Sequence, residues 1–359
     1  MAFAACGSSA KKADAPAAGT ATTAAGAAPA AGGKKVAVTL ITKDSTNAFF
    51  VAMQKGAKDA GAKYGVDITV ASGKQEGDDQ GQIDAIENAI SSKQAGILIT
   101  PMSTGVNAAI TKARAAGLFV IALDTPTDPA SVVDITFATD NFEAGKLIGQ
   151  YTAVKLAGKK ATIALLDIFN DKVVSVDYNR DNGFLTGMGI DVADPHKMGD
   201  EAKTGKYTGG KGGDYEIVGN EATGANEAGG QKGMENLLAK NPDINVIYTI
   251  NEPTAAGASV ALTAAGKKPG DYIMVSVDGG RAGVTNVQKG VIGATSQQYP
   301  LRMADLGVKA IADIINSGTK PAVSPGLDFY NTGVTLITDT PADGVKSETS
   351  QYGLDNAWG

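Results

Sequence analysis

The sequence has only one cysteine, Cys6, and only one histidine, His196. A single cysteine excludes a disulfide within the chain, and together with a single histidine it argues against a Cys/His metal site or a catalytic Cys/His pair. His196 follows Pro195 and is predicted to lie in a solvated loop. We therefore predict that the protein holds no metal.

Long hydrophobic runs and basic blocks are also absent. No apolar stretch in the 359 residues approaches the length of a transmembrane helix. The formal net charge is −6, and lysines cluster only in short pairs. Because neutralising phosphates requires a concentrated cationic face, nucleic acid is not an expected partner. A chain of this length can bury a large core and is compatible with two domains.

The first 34 residues are dominated by small side chains. From Gly7 to Gly33 there are no aromatic or large aliphatic residues, so residues 1–34 are predicted to be a disordered tether. Cys6 has the small neighbours of a bacterial lipoprotein cleavage site, although the charged and apolar parts of such a signal are incomplete. We predict that Cys6 is a lipid anchor and the protein's only attachment to a membrane, which places it outside the cytoplasm. The alternative is an incidental cysteine in a disordered tail.

Strand-like apolar runs alternate with helix-length segments from Lys35 onward. This alternation predicts an α/β fold with parallel sheets covered by helices on both faces. Because the strands exceed what one compact sheet usually holds, we predict two doubly wound parallel-sheet lobes. The predicted strands are 36–41, 68–71, 96–100, 119–123, 135–138, 162–167, 216–218, 246–250, 272–277 and 292–295.

A glycine-rich segment at 204–213 interrupts this alternation. Gly205 to Lys211 matches the start of a phosphate-binding loop, but Gly212 replaces the Ser or Thr that would hold magnesium. Neither a buried strand before it nor a helix after it is apparent. We predict a plain surface loop.

Planar hydrogen-bonding side chains follow many of the predicted strands, where open parallel sheets bind small ligands. Ionised Asp only accepts hydrogen bonds, whereas Asn and Gln both donate and accept, so together they match vicinal hydroxyls and predict a sugar or polyol site. Each residue taken singly could instead form a turn or a helix N-cap, and Asp140 and Glu252 are assigned mainly to such scaffold roles. The full set is Asn47, Asp124, Asp140, Asn141, Asn251, Glu252, Asp278, Gln297 and Gln298.

Two aromatic residues and one arginine complete the predicted site. Phe49 and Phe50 could cover the apolar face of a ligand, although at least one of them could instead pack in the core. Arg180 would supply a forked donor. Asp124 and Asp278 could be its acidic partners, which would leave a pocket of little net charge.

Catalytic and cofactor motifs are missing. The sequence has no Gly-x-Ser-x-Gly elbow, no His-Glu-x-x-His, and no Gly-x-Gly-x-x-Gly after the first strand. We predict a binding protein without a cofactor and not an enzyme. Because paired carboxylates can support glycoside hydrolysis, an enzyme acting on sugars stays an alternative.

From about Lys35 to near Thr338 the chain resembles the ribose-type periplasmic sugar-binding proteins of ABC importers. The resemblance rests on eight motifs in order: Asn47-Ala-Phe-Phe, Ile97-Leu-Ile-Thr-Pro101, Ala122-Leu-Asp-Thr-Pro126, Ala138-Thr-Asp-Asn141, Arg180-Asp-Asn-Gly-Phe184, Thr249-Ile-Asn-Glu252, Val275-Ser-Val-Asp-Gly279 and Ala294-Thr-Ser-Gln-Gln-Tyr-Pro300. It implies a monosaccharide ligand, an ABC permease as partner, and in some members a chemoreceptor. The implied ligand contacts are Asn47, Phe49, Phe50, Asp124, Arg180, Asn251, Asp278 and Gln298, with Thr139 and Asn141 as softer candidates.

The sequence departs from the ribose binders at three positions. Ala48 replaces the usual proline, Thr100 stands where ribose binders often carry Asn, and Thr125 where they carry Arg. The sequence around these positions looks more like that of the fructose-binding branch. A fructose-like ketohexose is therefore favoured over a pentose, another hexose or a polyol.

The resemblance also implies a three-segment hinge, with one lobe at 35–139 plus 299–331 and the other at 140–298 plus 332–359. A sugar-responsive regulator of the lactose-repressor type shares this fold. It needs an N-terminal helix-turn-helix, which the Ala/Gly-rich segment cannot form.

Overall fold

The computed structural model describes residues 36–359. Cys6 and the predicted tether lie outside these residues. In chain order the strands are β1 (Val36–Thr42), β2 (Val66–Ser72), β3 (Gly96–Ile99), β4 (Phe119–Leu123), β5 (Ile135–Ala138), β6 (Ala161–Asp167), β7 (Thr204–Tyr207), β8 (Gly213–Ala222), β9 (Val246–Thr249), β10 (Ile273–Asp278), β11 (Ala294–Gln297), β12 (Tyr330–Asn331) and β13 (Thr335–Ile337). The α-helices are α1 (Ala48–Tyr64), α2 (Asp79–Ser91), α3 (Asn107–Ala115), α4 (Asn141–Leu156), α5 (Ser175–Met188), α6 (Glu227–Lys240), α7 (Glu252–Ala264), α8 (Arg281–Gln288), α9 (Pro300–Ser317) and α10 (Ser350–Asp355).

The first sheet has the strand order β12-β5-β4-β3-β1-β2, and every neighbouring pair is parallel. Its central strands are short apolar runs buried along their whole length, as expected for a sheet covered on both faces. One face packs against α1 and α9 through residues such as Met53 and Met303. The other packs against α2 and α3 through Ile86 and Ile110.

The second sheet has the order β13-β11-β10-β9-β6-β8-β7. Its interior pairs are parallel, whereas the two edge strands, β13 and β7, pair antiparallel with their neighbours. Helices α4 and α5 cover one face through residues such as Ile148 and Phe184. Helices α6 and α7 cover the other through Met234 and Leu262.

Helices α4 and α5 pack with their backbones in close contact. A Cβ at Gly145 would lie 2.1 Å from the carbonyl oxygen of Arg180, and one at Gly183 would lie 2.2 Å from that of Phe142. Only glycine fits at these two positions. The close packing fixes the position of α5 relative to the sheet, and α5 carries Arg180.

The chain passes between the two sheets three times. It leaves the first sheet between β5 and α4, returns between β11 and α9, and leaves again between β12 and β13. Thr139, Gln298 and Thr332 lie at these passages and are buried. The fold prediction of two doubly wound sheets is confirmed, while the exact lobe boundaries stay a prediction.

All the predicted strands overlap strands of the structure, but the prediction of a plain loop at 204–213 is wrong in part. Residues Thr204–Tyr207 form β7, which pairs antiparallel with the start of β8. The ring of Tyr207 anchors this edge strand because it is 1% exposed and its hydroxyl donates to the carbonyl oxygen of Lys159 at 2.7 Å. The glycines between the strands form the turn of a hairpin, so no helix follows that could complete a phosphate-binding loop.

Candidate ligand-binding site

A small cavity lies at the carboxyl ends of the strands of both sheets. The eight side chains expected as principal contacts all line it. Their roles as ligand contacts stay predictions. The lining residues are Lys43, Asn47, Phe49, Phe50, Glu76, Asp124, Ile168, Val176, Arg180, Ala225, Ile250, Asn251, Asp278 and Gln298.

Asn47 is held at the start of α1 by its own loop. Its Oδ1 accepts a hydrogen bond from the backbone N–H of Phe49 at 2.9 Å, which caps the helix. Its backbone N–H donates to Oδ1 of Asp44 at 2.7 Å. Within residues 36–359, Nδ2 of Asn47 makes no hydrogen bond. This N–H₂ group is therefore available to a ligand.

Phe49 and Phe50 combine the two roles that the sequence left open. Both line the cavity, and both belong to the apolar cluster beneath α1 and α9. Their ring centroids are 5.3 Å apart with an interplanar angle of 86°, an edge-to-face pair. Both rings therefore pack in the core and also contribute to the cavity wall.

Three residues of the cavity have a left-handed backbone. Asp124 has φ 67°, Ala225 has φ 55° and Asp278 has φ 141°, and they are three of only five non-glycine residues with positive φ in residues 36–359. Such conformations are costly for residues with a side chain and cluster at functional sites. Asp124, directly after β4, and Asp278, the last residue of β10, both line the cavity in these conformations.

Arg180 is almost fully buried and held by the second sheet. Its Nε donates to Oδ1 of Asn141 at 2.8 Å, and its Nη1 donates to the carbonyl oxygen of Ile250 at 2.9 Å. Asp278 is its acidic partner at 4.0 Å. The expectation of Asp124 as a second partner is not met, because Oδ2 of Asp124 accepts from the hydroxyl of Thr125 at 2.8 Å.

Asp278 is part of a chain of buried polar groups. Its Oδ1 accepts from Nε2 of Gln298 at 2.8 Å, and Oε1 of Gln298 is a buried acceptor without a partner in the described chain. Burial raises the pKa of Asp278 to about 6, opposed by the positive charge of Arg180. Gln298 therefore presents a free carbonyl oxygen to the cavity while its amide nitrogen holds Asp278.

Glu252 holds the loop that directly follows Asp278. It accepts from the backbone N–H groups of Gly279 and Gly280 at 2.8 and 3.0 Å and from the hydroxyl of Thr295 at 2.9 Å. Burial, followed by repulsion from Asp278, raises its pKa to about 8. Its scaffold role thus serves the loop after β10 rather than only the start of its own helix.

Asn251, Thr139 and Asn141 are used by the protein itself. Asn251 caps α7 through Oδ1 and donates through Nδ2 to the carbonyl oxygen of Ala225, although it also lines the cavity. Thr139 and Asn141 do not line this cavity but a neighbouring groove. Asn141 instead holds Arg180, as described above, and Thr139 lies at the passage between β5 and α4.

An ion pair that sequence reasoning missed lies in the cavity. Nζ of Lys43 is 3.0 Å from Oε1 of Glu76, and the side chains are 3% and 11% exposed. Burial raises the pKa of Glu76, and the charge of Lys43 opposes the shift. Lys43 directly follows β1, so it lies at a strand exit, but its ammonium group is not one of the planar groups on which the sugar prediction rests. Glu76 lies in the long β2–α2 connection and gave no such signal.

The cavity contains charges of both signs. Lys43 and Arg180 carry the positive charges, and Glu76, Asp124 and Asp278 are the carboxylates. Ile168, Val176 and Ile250 add apolar surface from the second sheet. A site with nearly balanced charges, fixed hydrogen-bonding groups and two rings suits a small uncharged ligand with hydroxyl groups.

Residues 36–359 lack two kinds of feature. No group of three His, Cys, Asp or Glu side chains in this range is arranged to hold a metal ion. No helix in the same range is long and apolar enough to span a membrane.

Residues 37–320 match the family model described as a periplasmic binding protein domain. The chain belongs to this family. Among curated members of the periplasmic binding proteins, a ribose import binding protein of Bacillus subtilis is 26% identical over 79% of this chain and 83% of its own length. The D-allose-binding periplasmic protein of Escherichia coli is 24% identical over 83% of this chain and 91% of its own.

Solved structures of periplasmic binding proteins share the fold. A solute binding protein of an ABC transporter from Agrobacterium vitis with bound D-fucose has a TM-score of 0.72 and 24% identity, and the match covers 90% of this chain and 100% of that chain. A galactofuranose binding protein has a TM-score of 0.72 and 22% identity, covering 89% and 97%. The type I fold of periplasmic binding proteins, predicted from the motifs, is confirmed.

Proposed function

We propose that the protein is an extracytoplasmic receptor of an ABC sugar importer that binds one neutral monosaccharide in the cavity. The proposal is supported by the convergence of uncommitted polar atoms and two packed aromatic rings on one cavity. The relatives named above are a ribose and an allose binding protein, which agrees with a monosaccharide as the class of ligand. The proposed activity is binding, not catalysis.

The free hydrogen-bonding atoms match what a sugar offers. Nδ2 of Asn47, Nη2 of Arg180 and Nζ of Lys43 have donors left over after their contacts within the described chain. Oε1 of Gln298 and Oδ1 of Asp124 are acceptors with no partner there. Because a hydroxyl both donates and accepts, a polyhydroxylated ligand satisfies both sets at once. The edges and faces of Phe49 and Phe50 would cover its C–H groups.

A fructose-like ketohexose is the favoured ligand. None of the three positions at which the sequence departs from ribose binders, Ala48, Thr100 and Thr125, contributes a side chain to the cavity lining. The ion pair of Lys43 and Glu76 supplies polar groups there instead. A pentose, another hexose or a polyol is the alternative.

Binding would be coupled to closure of two lobes. We place the lobes at 35–139 plus 299–331 and at 140–298 plus 332–359, with the hinge at the three passages between the sheets. Hinge closure is the known motion of periplasmic binding proteins as a class. Closure would bury the sugar hydroxyls, and each unpaired group would then cost about 1–3 kcal/mol, which favours a ligand that pairs them all.

The partners follow from this role. The closed form would present surfaces of both lobes to an ABC permease, and a chemoreceptor could recognise the same form. Cys6 would keep the receptor near the membrane through a lipid, with residues 7–34 as a flexible tether. Both features lie outside the described residues.

Calorimetric titration with a panel of monosaccharides tests the proposal. The parent protein should bind at least one neutral monosaccharide, and Asp124→Ala and Arg180→Ala should each weaken binding at least tenfold. Asp313→Ala and Arg302→Ala are matched controls on α9, outside the cavity lining, and should bind as the parent does. Parental affinity in both site variants would overturn the site.

The state of the sugar after binding separates the proposal from its alternative. Chromatography of the released ligand should recover the sugar unchanged after long incubation. Turnover would favour an enzyme acting on sugars and would contradict the receptor.

A further inference from the structure

Trp358 makes an aromatic contact with the candidate site that no sequence motif predicted. It is the only tryptophan in the sequence. Its ring centroid is 5.2 Å from that of Phe49 with an interplanar angle of 81°, and Phe49 in turn makes the edge-to-face pair with Phe50. The three rings thus form a continuous row that ends in the cavity. Trp358 is 7% exposed and belongs to the apolar cluster of α1 and α9.

The backbone that carries Trp358 is fastened to the second sheet. Helix α10, which precedes it, is held by Nε2 of Gln297, which donates to the carbonyl oxygen of Gly353 at 2.9 Å. The backbone N–H of Arg281, at the start of α8, donates to the carbonyl oxygen of Trp358 at 3.0 Å. A Cβ at Gly280 would lie 3.1 Å from the indole ring, so the ring lies directly against this loop.

The indole also contacts a passage between the sheets. Its Nε1–H donates to the carbonyl oxygen of Gln298 at 3.1 Å. The side chain of Gln298 holds Asp278, as described above. Trp358 therefore touches two of the expected ligand-binding residues, which belong to opposite sheets: the backbone of Gln298 and the ring of Phe49.

We propose that Trp358 is a positioning residue for ligand binding. Its backbone moves with the second sheet, whereas Phe49 belongs to α1 on the first sheet. The contact between the two rings forms when the lobes close, sets the ring of Phe49 against the ligand, and slows reopening. The proposal rests on the function proposed above, since it requires a ligand-dependent closure.

Ala48 gives an independent reason to place this contact between the lobes. A Cβ at Gly359, next to Trp358, would lie 3.5 Å from Cβ of Ala48. Ala48 is exposed and does not line the cavity, but it lines a wider groove together with Trp358 and Gly359. The position at which the sequence departs from the usual proline thus faces the Trp358 segment rather than the ligand.

Binding kinetics of two substitutions test the proposal. Trp358→Leu keeps a buried apolar side chain but removes the edge-to-face contact, and it should weaken binding of the monosaccharide identified by calorimetry by about tenfold. The loss should appear as faster dissociation with an unchanged association rate. Trp358→Phe keeps an aromatic ring, and its affinity should lie within about threefold of that of the parent. Gln351→Ala, on the exposed surface of α10, is the control and should bind as the parent does.

The fluorescence of the parent protein gives a readout that requires no substitution. Because Trp358 is the only indole, its emission should change on addition of the sugar, with a midpoint equal to the calorimetric Kd. A sugar that does not bind should leave the emission unchanged.

The outcomes distinguish this proposal from the function on which it rests. If the parent binds no monosaccharide, the proposed function fails. If the parent binds one but Trp358→Leu retains parental dissociation, or the emission stays constant at saturation, the positioning role fails alone. Equal weakening in the Leu and Phe variants would also overturn it, because the ring contact would then not be the cause.

Discussion

The two sides of the cavity hold their side chains in different ways. On the second-sheet side, Arg180, Asn251, Asp278 and Gln298 are fixed by hydrogen bonds to other protein groups. On the first-sheet side, the two phenylalanines are fixed by packing, and Lys43 is tied only to Glu76. The side chains of Asn47 and Asp124 form hydrogen bonds only with residues one or two positions further along the chain. The comparison indicates that the second-sheet side is a preorganised polar surface, whereas the first-sheet side supplies aromatic cover and an ion pair that can adjust to the ligand.

The largest loss of sugar affinity should follow removal of the positive charge of Arg180, on the second-sheet side. Arg180→Met should weaken sugar binding by at least about 100-fold, because it removes a ligand donor and leaves Asp278 buried without its positive partner, a change that costs about 3–5 kcal/mol. Calorimetry measures the loss. Arg302→Met is the control, and a loss below tenfold would contradict a preorganised second-sheet side.

An intermediate loss is expected from the ion pair on the first-sheet side. Lys43→Met and Glu76→Gln should each weaken binding by about tenfold, since each leaves the other member buried and without its partner. The double variant should lose less than the sum of the two free energies, because the two residues act as a unit. Lys74→Met, in the same loop as Glu76 but exposed, is the matched control. Strictly additive losses would show that the pair is not coupled.

Smaller losses of sugar affinity should distinguish Asn141 from Thr139, the two softer candidates. Asn141→Ala removes the acceptor of Nε of Arg180 and should weaken binding by about fivefold, within the range of about 0.5–1.5 kcal/mol for one typical hydrogen bond. Thr139→Val should bind within about twofold of the parent, since its hydroxyl makes only a 3.4 Å contact with the carbonyl oxygen of Gly333. Equal losses in both variants, measured by the same titration, would place Thr139 in the site after all.

The smallest effect concerns stability rather than binding. Burial raises the pKa of Asp278 to about 6, of Asp177 to about 7 and of Glu252 to about 8. Between about pH 4 and pH 8 the unfolded chain has already lost protons that the folded protein keeps, so stability falls as pH rises. The Tm of the ligand-free protein should drop by several degrees from pH 5 to pH 8.

The substitution Glu252→Gln gives the control for this pH dependence. The variant should be less stable at every pH, because Gly279, Gly280 and Thr295 lose a carboxyl acceptor. Its Tm should nevertheless change less between pH 7 and pH 8 than that of the parent. A parental Tm that rises between pH 7 and pH 8 would contradict the raised pKa of Glu252.

The sequence predicted the cavity residues that lie at strand ends, but it missed residues that long connections bring to the cavity. Asn47, Asp124 and Asp278 were found because carboxyl ends of parallel strands meet at one edge, whatever the details of packing. Glu76 and Trp358 were missed because their positions depend on long connections folding back onto the cavity. The pairing of Lys43 with Glu76 also requires a distance in space, which spacing in sequence does not give.

The fold shows the same division. Strands with long apolar runs, such as Phe119–Leu123, were predicted with their exact ends. The short strands β12 and β13, of two and three residues, were not predicted, because they exist only through pairing with β5 and β11. In α4 and α5, the glycines that allow close packing could be read in the sequence, but not which helix they would meet.

Titration calorimetry of the purified protein with fructose, ribose, allose and fructose 6-phosphate is the decisive test of the proposed function. A neutral monosaccharide should bind with one site per chain, with fructose bound most tightly and the phosphorylated sugar bound weakly or not at all. Tight binding of the phosphorylated sugar, or no binding of any neutral monosaccharide, would contradict it.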